Sequence, residues 1–216
     1  FSAYSPASGF SPDVAPMEYG TFGAGDMRIA ALAVRNRDGN RVTDIRYTGH
    51  KIYAGKPPIP GQPSSYAEND GEADTLEIYA EDAVTGLKIT LIYTVFSDQG
   101  VMTRRVRAEN GSGEMLKLER IFSLCLSLPS MDYDLITLYG RHAMERNIER
   151  RPLAHGVQGV ESSRGVSGHS QNPFAALAGK NADEEHGEVY GFNFVYSGNF
   201  SALCECDYNG TSRFLM

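Results

Sequence analysis

The sequence predicts an all-β chain folded as a large antiparallel β-sandwich, and three observations carry that expectation. Gly187 to Phe200 alternates, with Tyr190, Phe192, Phe194 and Tyr196 on one face of a strand and Val189, Gly191, Asn193 and Val195 on the other. A row of aromatics on one face needs a second sheet to cover it. Leu87 to Val95 alternates in the same way, placing Leu87, Ile89, Leu91, Tyr93 and Val95 together. The remaining apolar runs are short and separated by turn residues, the spacing of a sandwich.

Taken in order, Asp26 to Val34 is expected as the first strand, and Asp38-Gly-Asn40 turns it into Val42 to Tyr47. Lys56 to Pro63 holds four prolines in eight residues, which leaves an extended loop with few ladder hydrogen bonds. Thr75 to Tyr79 is a short strand with Leu76 and Ile78 inward. Leu87 to Val95 follows, then Met102 to Ala108 with Arg104, Arg105 and Arg107. Asn110-Gly-Ser-Gly113 signals a hairpin into Leu116 to Leu128. Asp134 to Leu138, Gly140 to Ile148 and Val157 to Ser162 read as strands, and only Pro173 to Gly179 has a short helical option. Ser197-Gly-Asn199 then turns the chain into a returning strand, Phe200 to Asp207. No repeat or linker interrupts the pattern, so residues 1–216 are expected as a single β-sandwich domain.

A chain of 216 residues buries roughly 70% of the surface exposed when unfolded, so it needs no disulfide or metal to hold together. The net charge of −7 argues against nucleic acid as a partner. No apolar run approaches the roughly 18 residues that a membrane helix requires, so no membrane is expected. Three cysteines, an odd number, fit a reducing, cytoplasmic setting. Cys204 and Cys206 fall on one face of a strand, a poor arrangement for a local disulfide, and read as buried and inert. No second Cys/His pair stands at zinc spacing, and no cofactor motif occurs. The ends at Phe1 and at Phe214-Leu-Met216, within an apparent strand, suggest a piece of a longer polypeptide.

Two stretches hold residues with chemistry to offer. Arg141 to Arg151 interleaves Arg141, Arg146, Arg150 and Arg151 with Glu145 and Glu149, and includes His142. It reads first as a solvated strand face with cross-strand ion pairs, and second as a face that meets another domain or a ligand. His169 lies in the Gly/Ser/Asn-rich loop Arg164 to Phe174; it is either a group titrating near neutral pH or a loop histidine that holds a turn. Gly23-Ala-Gly25-Asp26 is a backbone turn, since no Lys-Ser/Thr and no helix completes a phosphate loop. Neither Gly-x-Ser-x-Gly nor His-Glu-x-x-His is present. Tryptophan, the side chain most used to stack on sugars, is absent.

Several segments resemble the family 36 glycoside hydrolases, mostly bacterial α-galactosidases. They are Gly23 to Arg28, Val42 to Pro57, Val101 to Arg104, Glu145 to Leu153, Ser162 to Gly165, His169 to Phe174 and His186 to Phe200, in order and with matching spacing. The resemblance covers the amino-terminal β-supersandwich of that family, which precedes a catalytic (β/α)8 barrel. It implies retaining hydrolysis of terminal α-linked galactose, as in melibiose and raffinose, by two aspartates. Their Lys-Trp-Asp and Gly-Gly-Arg motifs are missing here, so no catalytic residue is expected in this segment, which alone should be inactive.

The resemblance also implies one binding residue. The strand before the Glu-Arg motif often carries a sugar-proximal Trp two residues after a Gly; here these positions are Gly140 and His142. A family Asp that contacts galactose hydroxyls falls at or just before Phe1. The carbohydrate substrate is then met through the adjoining barrel, and family analogy makes the intact enzyme a homo-oligomer. The alternative is a stand-alone sugar-binding or mutarotase-like module, for which His142, His169 and Glu188 are the only residues available to converge.

Overall fold

In the computed structural model, which describes residues 12, 15–196 and 198–216, strand accounts for 50% of the chain and helix for 3%. Antiparallel sheets pack as sandwiches, as the alternation predicts. The chain divides into two compact units, one up to Cys125 and one from Leu126.

The first unit contains β1 (Leu32–Arg35), β2 (Arg46–Ala54), β3 (Asp74–Glu81), β4 (Leu87–Phe96), β5 (Val101–Asn110) and β6 (Lys117–Ile121). Four of them form a sheet in the order β2-β3-β4-β5, and β1 pairs with β6. Leu32 and Val34 of β1 meet Leu87, Ile89 and Leu91 of β4 in one buried cluster, with Ile78, Tyr93 and Val106 packed against it. The face of β4 expected to be apolar is therefore the core face. Each such aliphatic side chain contributes about 1.5–3 kcal/mol on full burial.

Two expected strands are shorter at their starts because their backbone or side chains bond elsewhere. Asp26 and Arg28 form a buried ion pair at 2.9 Å, and Arg28 also donates to the carbonyl of Ala15. The ladder begins only at Leu32. Likewise Thr43 N donates to Phe22 O, and Asp44 N donates to the buried carboxylate of Asp82 at 3.0 Å. The second strand therefore begins at Arg46, and it runs on to Ala54, past the expected end at Tyr47.

Arg104 of β5 is the polar centre of this unit. Its side chain is 6% exposed, and its guanidinium donates to the carbonyls of Cys125 at 2.9 Å and Glu18 at 3.1 Å. The Glu18 carboxylate also receives the Tyr93 hydroxyl, and the guanidinium lies 4.8 Å from the Tyr93 ring centre. Tyr19 stands against the same cation and donates to Phe122 O. Burial pushes its hydroxyl far up, against the opposing pull of Arg104.

The second unit contains β8 (Tyr133–Arg141), β9 (Met144–Pro152), β10 (Gly156–Ser162), β11 (Gln171–Gly179), β12 (Val189–Asn193), β13 (Phe200–Cys206) and β14 (Ser212–Leu215); β7 (Cys125–Leu128) leads into it. One sheet runs β12-β11-β8-β9, the other β10-β13-β14-β7. Phe192 of the first sheet stacks on Phe214 of the second with ring centres 4.1 Å apart. That is the cover the aromatic row requires, but only Phe192 uses it in this way. Phe194 meets the Tyr196 ring edge-on, and Tyr190 and Tyr196 remain exposed.

Three expectations are corrected here. Pro173 to Gly179 is not helical: it lies in β11, paired with β12 on one side and β8 on the other. Ala175, Ala176, Leu177 and Ala178 are all buried, so both faces of this strand are covered, and burial outweighs alanine's helix propensity. The ladder to β8 slips register between Gln171 and Ala175, around Pro173, which has no N–H to give. Phe200 to Cys206 does return as a strand, but it pairs with β10 and β14 in the other sheet, not with β12. Gly140 to Ile148 is not one strand; its first part closes a hairpin described below. Ser197, within the expected turn, lies outside the described residues.

β13 buries every second residue, Phe200, Ala202, Cys204 and Cys206. All three cysteines are free and buried. The Cys204 thiol donates to Cys206, and that bond, aided by burial, pushes its pKa up, which leaves it protonated and unreactive. At the other sheet, Arg150 bonds Asp134 at 2.7 Å and reaches the carbonyls of Ala182, Gly179 and Lys180. One guanidinium thus pins the β11–β12 connection to β8.

Replacing Arg104 with Met should cost about 3 kcal/mol, since it removes two charge-assisted bonds to carbonyls and the ion pair with Glu18. Arg37→Ala, which breaks a surface pair with Glu114, should stay within about 0.5 kcal/mol. Urea unfolding measures both. By the same measurement, Phe192→Ala should cost about 3 kcal/mol and Phe194→Ala about half of that, in keeping with the partial burial of each. Equal losses would place the second ring in the core as well.

Candidate functional site

β8 and β9 are joined by a two-residue turn, His142-Ala143, because Arg141 pairs directly with Met144. Further down, Tyr139 pairs with Asn147, so β9 carries one residue more than β8 between the two pairs. This is a β-bulge, a device that re-aims side chains at strand ends. The turn holds Ala143 at φ 61° and the bulge holds Arg146 at φ 57°. Left-handed backbone at a non-glycine residue costs roughly 1–2 kcal/mol, so the hairpin stores strain at two positions.

Gly140 makes that geometry possible. A Cβ there would lie 2.2 Å from Met144 O and 2.9 Å from Glu145 Cα. The bulged strand passes directly over the glycine. Two local bonds then fix the tip: Ala143 N donates to the Glu145 carboxylate at 2.9 Å, and the Asn147 amide donates to Met144 O at 2.9 Å.

The bulge turns Glu145 and Arg146 toward the loop that precedes β11. Together with Ser167, Gly168, His169 and Asn172 they line an open depression of about 560 Å³. The loop is anchored at Gly165 N, which donates to the Asn199 side chain at 2.6 Å. Asn172 reaches Leu138 O at 3.4 Å. The depression offers one carboxylate, one guanidinium, an imidazole, a hydroxyl and an amide, a set suited to hydroxyl groups. It holds a single carboxylate, whereas retaining glycoside hydrolysis needs two. Among the described residues no three His, Cys, Asp or Glu side chains gather as for a metal ion.

His142 stands at the turn itself, exposed, and makes no hydrogen bond among the described residues. It is a turn residue rather than a strand residue, because the pairing of Arg141 with Met144 leaves it no place in the ladder. His169 is exposed and lines the depression. The two histidines share one end of the sheet, since Gln171 pairs with Tyr139 there. Glu188 belongs to the opposite end: its carbonyl bonds Gly179 N, and its carboxylate pushes the Tyr190 hydroxyl up through a hydrogen bond. The nine-residue length of β11, about 26 Å, separates that end from the histidines. The trio that a mutarotase-like centre requires is not assembled. The position of the expected galactose-binding Asp, at or before Phe1, lies outside the described residues.

Sequence reasoning did not see that Glu145, Arg146 and Asn172 converge with His169. A signal was present in Gly140, two residues before an exposed pair, but His-Ala is not a recognised turn dipeptide.

The model of the glycosyl hydrolase family 36 N-terminal domain matches residues 2–216. Alpha-galactosidase AgaA of Geobacillus stearothermophilus is 52% identical over 207 residues, which is 96% of this chain and 28% of that enzyme. A crystal structure of a variant of AgaA in complex with stachyose superposes with a TM-score of 0.95 at 51% identity, over 98% of this chain and 30% of that one. Another AgaA variant, in complex with 1-deoxygalactonojirimycin, gives a TM-score of 0.94 at 52% identity over 96% of this chain and 29% of that one. The chain thus spans less than a third of the length of each.

Gly140→Ala should lower stability by about 2 kcal/mol or more, because the overlap falls on backbone that cannot step aside without losing the bulge. Ala143→Gly should do the opposite, raising it by about 0.5–1 kcal/mol through release of the left-handed strain. Thermal unfolding of both variants reads the sign, and a neutral Gly140→Ala would remove the close approach from the account.

Proposed function

The chain belongs to the N-terminal domain family of the family 36 glycosyl hydrolases, and on that basis we propose that it is the accessory amino-terminal part of a retaining α-galactosidase. In this reading residues 1–216 precede a catalytic barrel that carries both aspartates, and act on terminal α-galactosides of the raffinose and stachyose type only through that barrel. The observation that carries the reading is the 52% identity to an α-galactosidase across 96% of this chain. The single carboxylate of the depression supports an accessory role, since the two-carboxylate chemistry has to be supplied from elsewhere.

Within that enzyme His142 forms part of the rim of the galactose pocket, in its own subunit or in a neighbour's within a homo-oligomer. The support is geometric. The hairpin spends strain at two residues to present a short, rigid tip, and the imidazole at that tip has no partner among the described residues. Backbone strain of this kind concentrates where a ligand is met. Three buried thiols without a disulfide agree with a cytoplasmic enzyme.

In the full-length protein, His142→Ala should raise KM for an α-galactoside by about 5- to 150-fold, or about 1–3 kcal/mol, with kcat little changed, because a rim contact holds ground and transition states alike. His155, whose ring bonds Asp207 O in another loop, provides the control. Steady-state kinetics on p-nitrophenyl α-galactoside and raffinose decide it: wild-type values in His142→Ala would take this residue out of the rim, and no hydrolysis by the wild type would sink the functional reading itself.

A further inference from the structure

The sheet of the first unit has a second face, turned away from the Leu32–Leu91 core. Register places Lys51, Glu77, Ile92 and Arg105 side by side on it across β2, β3, β4 and β5. Tyr79 stands one row away opposite Gly49, and Tyr53 one row away on the other side, opposite Thr75. The floor is closed, because Thr75, Thr90, Ile92 and Thr94 are all buried.

Above that floor the hydroxyls of Tyr53 and Tyr79 donate to the two different oxygens of Glu77, at 2.8 and 2.7 Å. The two phenols thereby lock each other's orientation through one carboxylate. Each Glu77 oxygen keeps a further acceptor site. Lys51 lies 4.9 Å from the centre of the Tyr53 ring. Arg107 is engaged with Glu109, whereas Arg105 makes no hydrogen bond or ion pair among the described residues. Gly49 leaves the flank of Tyr79 open: even an added Cβ would come no nearer than 3.9 Å to its ring.

We propose that this face binds a neutral oligosaccharide, with Tyr53 and Tyr79 meeting sugar rings, Glu77 accepting from sugar hydroxyls and Arg105 donating to them. The mixture of charges selects the ligand class. A phosphate or carboxylate drawn to Lys51 and Arg105 would meet Glu77 at the centre of the site. A neutral polyol uses both, because its hydroxyls donate and accept, while the apolar C–H face of the ring packs on an aromatic side chain. The Tyr79 hydrogen bond holds the Glu77 carboxyl below its usual range, with Tyr53 and nearby cations acting in the same direction, so the acceptor is charged at neutral pH. Burial and the Glu77 bond push the Tyr53 hydroxyl up to about 12, so both phenols stay protonated donors. Rings fixed before the ligand arrives lose little freedom on binding it.

That the sugar is an α-galactoside rests on the function proposed above. The test uses the full-length protein with its galactose pocket saturated by 1-deoxygalactonojirimycin, titrated calorimetrically with stachyose. One further site per chain is expected, with Kd of about 1 mM as befits an open surface. Glu77→Gln, and Tyr53→Ala with Tyr79→Ala, should weaken it at least tenfold; Tyr79→Phe, which keeps the ring, should fall between them and the wild type. Arg105→Ala removes only an unpaired guanidinium; it should weaken binding severalfold and decides the matter if the tyrosine variants fail to fold. Absence of stachyose binding to the inhibitor-saturated wild type, or binding unchanged across the variants, overturns the proposal. So does inorganic phosphate binding at this face in place of the sugar. Failure of 1-deoxygalactonojirimycin to bind would instead count against the α-galactosidase reading, with the stachyose titration still reporting on this face.

Discussion

Gly140 has no side chain, and the hairpin at the end of the second unit is built around that absence. β9 crosses it so closely that Met144 O occupies the place a Cβ would need. Because the strand can come that near, it can carry one residue more than its partner. Because it carries the extra residue, Glu145 and Arg146 turn toward the loop of His169. The turn above is then confined to two residues, which exposes His142 at the tip. Remove the close approach and the depression, the bulge and the tip go together, since each is a consequence of the same register.

Elsewhere the loops are held by arginines rather than by ladder bonds. Arg104 collects Cys125 O, the Glu18 carbonyl and the Glu18 carboxylate; Arg150 collects Asp134 and three carbonyls of the β11–β12 connection. A buried guanidinium is costly unless its donors are met, and a loop carbonyl away from water is costly unless it finds a donor. Arg150 settles both requirements at once; Arg104 does so through its two terminal nitrogens, while its Nε stays buried without a partner. A sandwich with few helices can thereby carry long connections without leaving backbone groups unmet.

The sequence made much of the fold legible and little of the site. The core face of β4 and the buried face of β13 follow directly from alternation, because their apolar side chains recur at every second position. β11 hid its nature for the opposite reason: both faces are covered, so small apolar residues run on without a period and read equally well as helix. The partner of β13 was also hidden, since passage from one sheet to the other depends on contacts remote in sequence. At the site, His142 was found only through resemblance. Its hairpin was missed because the left-handed positions are taken by Ala143 and Arg146, not by the Gly or Asn that mark such turns. His169 was singled out from loop composition, but its neighbours Glu145 and Arg146 come from a different strand, and nothing local announces that convergence.

The central proposal is that the β8–β9 tip belongs to the galactose pocket of the α-galactosidase proposed above. Hydrogen–deuterium exchange of the full-length protein, with and without saturating 1-deoxygalactonojirimycin, tests it most directly at the amides of residues 139–147. The account predicts slower exchange in that hairpin when the inhibitor is bound, with no change in the β13–β14 hairpin around Asp207. Inhibitor binding that protects other segments and leaves residues 139–147 exchanging as before would contradict it.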